Sequence, residues 1–236
     1  MLVLAIDTAT PRVSLALGDD GHVVAELQLA TGTDRGSGIR RHAELLAPAI
    51  ASLCEQVGVA VADVSAVAVG IGPGMFTGLR VGVTTAKVLA QTLRIPVVPV
   101  PSLDLVAFPV RFTSRLVVAV LDARRREVFS ASYRPVPGGV QRVSDYQVLP
   151  PAELVAELSG GGAELLLVGD GVGRYRDEFA ALERADVAGP AFDAPSAVAL
   201  LELATGRLER EEFVSAGDVL PMYLRQSDAE INWERV

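Results

Sequence analysis

Val69-Gly70-Ile71-Gly72-Pro73-Gly74-Met75-Phe76-Thr77-Gly78-Leu79-Arg80-Val81-Gly82-Val83 carries the chain from an apolar strand into a helix that runs to about Leu93, and it offers almost no catalytic chemistry. Gly74, Gly78, Gly82, Ala86 and Ala90 recur every fourth residue, so they form one helix face nearly devoid of side chain. Glycine inside a helix costs roughly 1 kcal/mol relative to alanine. Close packing against that face must offset the loss. Its neighbour is the protein's own sheet, a second subunit seated ridge into groove, or a ligand at the turn; the second subunit is the preferred reading. The turn matches neither phosphate-loop template, because Leu79 follows Gly78 and Thr77 stands where the third glycine of G-x-G-x-x-G belongs. The backbone N–H groups at the helix start retain only a generic capacity for anions.

Working outward, Leu2 to Ile6, Val13 to Leu17 and Val23 to Leu29 read as a three-stranded meander with a Gly18-Asp19-Asp20-Gly21 turn. Thr31 to Gly38 reads as a polar, Gly-rich loop. Leu45, Leu46, Ala49, Ile50 and Leu53 then fall at helical spacing from Arg41 onward. Val64 to Ile71 is a strand before the glycine string, and Ile95 to Val100 a short strand after its helix. The pattern then starts again: Leu116 to Leu121 ends in Asp122 as the first strand ends in Asp7, and Glu127 to Tyr133 and Val140 to Val148 complete a second meander. Helices are expected at Pro151 to Leu158, Arg174 to Leu182 and Pro195 to Leu208, with a strand at Leu165 to Val168 before Gly169-Asp170-Gly171. This is a duplicated α/β unit, divided into lobes at 1–100 and 101–236.

An apolar strand, a terminal Asp and a hairpin, used twice, is the plan of the actin and Hsp70-like (ribonuclease H-like) ATPase fold. In that fold the hairpin turns wrap nucleotide phosphates. Here the turns are Asp7-Thr8-Ala9-Thr10-Pro11 and Asp122-Ala123-Arg124-Arg125-Arg126, without glycine, whereas a backbone that approaches phosphates closely normally needs it. Nucleotide binding is therefore expected to be weak or vestigial. Its candidate residues are Asp7, Thr8, Thr10, Asp122, Gly169 and Gly171. Capping of strand ends is the alternative role for Asp7 and Asp122, and a plain strand-to-helix turn with Asp170 against the helix dipole is the alternative for Gly169 and Gly171.

The chain has 236 residues and a formal net charge of -8, with a pI of about 4.9 and a mean hydropathy of +0.37. An acidic chain is not built to hold a polyanion by itself, so any RNA is expected to be held mainly through a partner. The apolar excess supports a buried interface. Cys54 is the single cysteine, which excludes an internal disulfide and points to a reducing compartment. Met1 to Ile6 is too short for a signal-peptide core and no stretch reaches membrane-spanning length, so a cytoplasmic location and no membrane partner are expected. The two histidines, His22 and His42, form no metal motif: Leu46 occupies the position four residues after His42. No cofactor or metal is expected. No G-x-S-x-G elbow exists, and no His base lies at a recognisable spacing from Ser102, Asp104 or Ser114.

Ile6-Asp7-Thr8-Ala9-Thr10, Arg41-His42-Ala43-Glu44-Leu45-Leu46-Ala47-Pro48, the string from Gly72 to Gly82, Leu121-Asp122-Ala123-Arg124 and Pro221-Met222-Tyr223-Leu224-Arg225 together resemble the TsaB (YeaZ) family of the bacterial tRNA threonylcarbamoyladenosine machinery. The resemblance implies a two-lobed actin-like subunit that is not itself the catalyst. Its paralogue TsaD carries the metal-binding H-x-x-x-H and transfers the threonylcarbamoyl group to N6 of adenosine 37. It further implies pairing with a TsaD-like transferase, help in recruiting a TsaE-like ATPase, and homodimerisation when alone. Carried over by residue, the partner interface falls on Gly74, Phe76, Gly78, Leu79, Arg80, Gly82, Ala86 and Ala90. Ala43 departs from the family's usual Ser, and 227–236 shows no family pattern. The rival reading is a weak ATPase or kinase-like nucleotide-binding protein using Asp7 or Asp122 to position Mg-ATP.

Overall fold

The structure is a computed structural model that describes residues 1–30 and 37–225. The Gly-rich loop expected from Thr31 lies outside them as far as residue 36, as does the tail at 227–236. Leu2–Thr10 (β1), Arg12–Asp19 (β2) and His22–Ala30 (β3) form an antiparallel meander, followed by helix α1 (Ser37–Val57) and strand β4 (Ala66–Gly70). Helix α2 (Phe76–Leu93), strand β5 (Val97–Val100) and helix α3 (Ser102–Ala107) follow. The second half contains β6 (Leu116–Arg124), β7 (Glu127–Val136), β8 (Gly139–Arg142), β9 (Gln147–Leu149), α4 (Pro151–Ser159), β10 (Leu165–Val168), α5 (Asp170–Arg174), α6 (Arg176–Phe179), β11 (Ala185–Val187) and α7 (Ala197–Glu209).

The two sheets have one topology. The first runs β3-β2-β1-β4-β5 and the second β8-β7-β6-β10-β11, each with three antiparallel strands and two parallel additions, while β9 pairs with β7. The central strands β1 and β6 open with apolar runs, Leu2 to Ile6 and Leu116 to Leu121, because both faces are covered. Leu4 and Ile6 point to α1 and α2, where Leu46, Leu53, Val83 and Ala86 meet them. Val3 and Ala5 point the other way, onto α7. That face is lined by Ala5, Ala16, Ala66 and Ala68, so Leu200, Leu201 and Ala204 of α7 can approach closely.

This placement of α7 corrects a division by sequence alone. Residues 197–209 belong to the second half of the chain yet pack on the first sheet, and Val214 bridges to Val97. α3, unmarked by any periodicity, covers the second sheet through Leu103, Val106 and Ala107. Three smaller differences have local causes. α1 begins at Ser37, ahead of Arg41, because Ser37-Gly38-Ile39-Arg40 carries no apolar repeat for periodicity to register. The strand expected over 140–148 is two strands, both paired to β7. The helix expected over 174–182 is broken at Tyr175, whose backbone leaves the helical region (φ -116°, ψ 41°). Among the described residues no helix is long and apolar enough to cross a membrane.

Candidate functional site

The glycine row of α2 is filled from within. A Cβ built on Gly74 would lie 2.4 Å from the Ala9 carbonyl oxygen, one on Gly78 2.2 Å from the Thr8 carbonyl oxygen, and one on Gly82 2.3 Å from Thr8 Oγ1. Ala86 and Ala90 continue the face into the core. Thr8 Oγ1 donates to the Gly78 carbonyl at 2.7 Å, and the Met75 amide donates to the Ala9 carbonyl at 2.7 Å. The neighbour that these glycines admit is the end of β1, so the expectation that the small-residue row receives a second chain is corrected. Leu79 is likewise fully buried. The helical repeat explains the choice: residues two apart lie on opposite faces, and opposite the glycine row stand Phe76, Arg80, Thr84, Val88 and Thr92. Arg80, Thr84, Val88 and Thr92 of that row are exposed.

At the start of α2 this outer row forms an ordered platform. The Arg80 guanidinium lies over the Phe76 ring at 3.9 Å from its centroid, and its Nε donates to Tyr223 Oη at 3.1 Å. The Phe76 and Tyr223 rings pack at 4.8 Å between centroids. Tyr223 belongs to a strap that crosses from the first sheet to the second. The Lys87 ammonium donates to the Gly217 and Val219 carbonyls, the Met222 amide to the Ile71 carbonyl, and Arg225 to the Ala123 carbonyl and the Glu127 carboxylate.

Asp7 and Asp122 occupy equivalent positions, each just before the register shift that leads into the hairpin, but they lie inside β1 and β6, which run on to Thr10 and Arg124 instead of ending at the carboxylates, and each is engaged by the chain itself. Asp7 is buried; Oδ1 accepts from the Ala9 amide at 2.9 Å and Oδ2 from Ser102 Oγ at 2.8 Å, while Ser102 Oγ accepts from the Gly72 amide at 3.1 Å. Gly70 makes room, since a Cβ there would sit 1.8 Å from Asp7 Oδ2. Burial raises the Asp7 carboxyl to about 6 against the pull of the two hydrogen bonds. His42, fully buried on α1, places Nε2 3.0 Å from the Thr10 carbonyl. Asp122 Oδ1 accepts from the Arg124 amide, and Oδ2 meets Arg124 Nη1 at 3.3 Å and Arg174 Nε at 3.1 Å. The Asp122 amide donates to Asp170, whose carboxyl burial also raises to about 6. Gly169 and Gly171 repeat the close-approach device: their Cβ positions would fall 2.1 Å from the Val120 carbonyl oxygen and 2.8 Å from its Cγ1.

The nucleotide implied by the fold family therefore does not fit these turns as they stand. The Ala9 amide, the Thr8 hydroxyl and the Asp122 amide all have internal partners. Gly169 and Gly171 are filled by β6, and the Asp170 carboxylate that accepts from the Asp122 amide stands where phosphate oxygens would need a donor. Ser102 is the member of this network that spacing alone did not reveal, because it reaches Asp7 from α3, 95 residues away. Among the described residues no group of three or more His, Cys, Asp or Glu is placed to hold a metal ion.

A family model described as TsaD, tRNA N6-adenosine threonylcarbamoyltransferase, matches residues 31–233. The Escherichia coli tRNA threonylcarbamoyladenosine biosynthesis protein TsaB is 30% identical over 100% of this chain and 98% of its own length. The solved structure of YeaZ from Pseudomonas aeruginosa superposes with a TM-score of 0.80 at 31% identity, covering 94% of this chain and 99% of that one. The chain belongs to the TsaB (YeaZ) family. A more distant likeness, to EutJ from Carboxydothermus hydrogenoformans at 11% identity and a TM-score of 0.50, concerns the fold alone. The duplicated strand order is the two-lobed actin-like arrangement expected from the repeated strand, Asp and hairpin.

Proposed function

We propose that this chain acts in tRNA threonylcarbamoyladenosine biosynthesis as a non-catalytic subunit. It binds and activates a TsaD-like transferase and helps recruit a TsaE-like ATPase. Family membership supports the pathway. The observation that carries the subunit role is the construction of α2: one face is locked to β1 at glycine distance, and the opposite row presents Phe76, Arg80, Thr84 and Val88 on a helix that cannot easily shift. Val88 is 54% exposed, and an apolar side chain beside an aromatic and arginine cluster is the composition of an interface core. The role of the glycines is thus indirect, since they hold the helix in place while the outer row makes the contact. A non-catalytic role agrees with the engagement of His42 by Thr10 and with Leu46 standing one turn further along α1, buried in the core.

The test is association of the purified chain with the transferase of the same organism, followed by size-exclusion chromatography with light scattering and by titration. Wild type is expected to form the complex. Arg80→Glu and Val88→Glu are expected to weaken it at least tenfold with little change in melting temperature, because both side chains are exposed. Normal association by both variants removes α2 as the contact. Failure of the wild-type chain to associate at all removes the subunit role. The same variants show whether a homodimer of the isolated chain uses this row.

A further inference from the structure

The hairpin between β6 and β7 turns on Arg125 and Arg126, whose φ angles are 54° and 64°, and the preceding Arg124 sits at 63° beside a register shift. Positive φ at both central residues is the signature of the tight hairpin turn that favours Asn-Gly or Asp-Gly. Bulky side chains are disfavoured there. The molecule contains its own comparison: the β2–β3 hairpin has the same signs of φ at Asp20 (45°) and Gly21 (79°), and there the favoured pair is used. The backbone of the turn does not favour three successive arginines in left-handed conformation.

All three are exposed, and Arg174 on α5 lies beside them. The Asp122 carboxylate, only 7% exposed, anchors Arg124 and Arg174 from below while leaving their side chains 50% and 54% exposed. Two guanidinium groups thus share one sunken carboxylate, and two more stand exposed on the adjoining turn, on a chain whose net charge is -8. Local cationic character of this kind orients a polyanion, because the acidic remainder of the surface repels it.

We propose that the Arg124–Arg126 turn, with Arg174, is a contact surface for the phosphate backbone of an RNA. It rests on the reading of this chain as a subunit of a tRNA-modifying assembly, and it assigns part of the RNA contact to the chain itself. Phosphates suit the surface better than an acidic protein segment does. Guanidinium forks grip phosphate oxygens in pairs, and backbone contacts fix position without demanding a register of complementary side chains.

The experiment uses the complex of this chain with its transferase and a fluorescently labelled tRNA transcript, with binding followed by anisotropy between 50 and 300 mM salt. Arg125→Asn/Arg126→Gly installs the pair that the backbone of the turn prefers, and its melting temperature is measured beside its RNA binding so that a folding defect is read separately. It should weaken binding by roughly eightfold per lost contact near 0.1 M salt and flatten the slope of log K against log salt by about 0.7 to 0.9 per contact. Arg125→Lys/Arg126→Lys should retain most of the slope. Unchanged affinity and slope in the Asn/Gly variant overturn the proposal. So does loss of transferase association with RNA binding intact, which would make the turn a protein contact. If the wild-type chain does not pair with the transferase, the subunit reading fails separately, and the same variants and salt series on the chain alone decide whether the arginine turn binds RNA.

Discussion

Replacing Gly78 by alanine adds a single methyl group, and the surroundings of that position determine what it does. The new Cβ would lie 2.2 Å from the carbonyl oxygen of Thr8. That obstacle is the backbone of a central strand, so no rotamer change relieves it. α2 and the end of β1 must separate by about 1 Å, which disturbs the hydrogen bond from Thr8 Oγ1 to the Gly78 carbonyl and the one from the Met75 amide to Ala9. Overpacking of this kind costs about 1–3 kcal/mol and a weakened buried hydrogen bond about 1 kcal/mol. The gain from alanine's helix propensity is about 1 kcal/mol in the other direction. The net expectation is a destabilisation of about 2 kcal/mol, or roughly 4–8 °C in melting temperature for a chain of this length. Thermal melting and urea unfolding of the isolated chain measure it. A Gly78→Ala variant that melts at or above the wild-type temperature would refute the reasoning, because it would show that β1 does not close over the glycine row.

Gly206→Ala supplies the opposite sign: Gly206 lies inside α7, and its Cβ would meet only the flexible Arg210 Nη1 at 3.4 Å. That variant should gain up to about 1 kcal/mol, and a loss of stability in the same melts would count against the packing of α7. Asp7 yields a pH signature. Its carboxyl titrates near 6 in the folded chain against about 3.9 in an unfolded one, so the folded state binds more protons between those values. Stability contributed by this group is present at low pH and is lost as pH rises through about 4 to 6. Asp7→Asn should therefore gain on wild type by about 1–3 kcal/mol between pH 4 and pH 7, and parallel urea-midpoint profiles for the two proteins would exclude it.

The duplicated fold was legible because each half announces itself locally, with an apolar strand, a terminal Asp and a tight antiparallel return. The glycine row was legible as a face but not as a contact. Spacing of four residues says that something comes close, and says nothing of what. The deciding signal lay two positions along: a helix with Arg80, Thr84 and Thr92 on the far row can bury only the small-residue row in its own core. α3 escaped because a helix of 6 residues, set between Pro101 and Pro109, is too short to show a period, and with it escaped Ser102 and its bond to Asp7. The return of α7 to the first sheet was equally hidden, although Ala5, Ala16, Ala66 and Ala68 on one sheet face already asked for a helix at short distance. Ion pairs such as Arg174 to Asp122 join residues 52 apart in sequence, and no local pattern encodes them.

The two proposed surfaces are neighbours for a covalent reason. Tyr223 packs on Phe76 and Arg80 at the outer row of α2, and Arg225, two residues later, holds the Ala123 carbonyl and Glu127 at the base of the arginine turn. Two residues of extended chain span at most about 7 Å, so a protein seated on the outer row would have its margin beside Arg124–Arg126. The association energetics then differ in kind across a short distance. The α2 contact is apolar and aromatic and should depend little on salt, whereas the turn acts through exposed charge and should weaken steeply as salt rises. A tRNA held chiefly by the transferase would meet this chain only at the charged end. Arg80→Glu would accordingly lower RNA binding by weakening this chain's hold on the complex, and Arg125→Asn/Arg126→Gly would lower it while the complex remains whole.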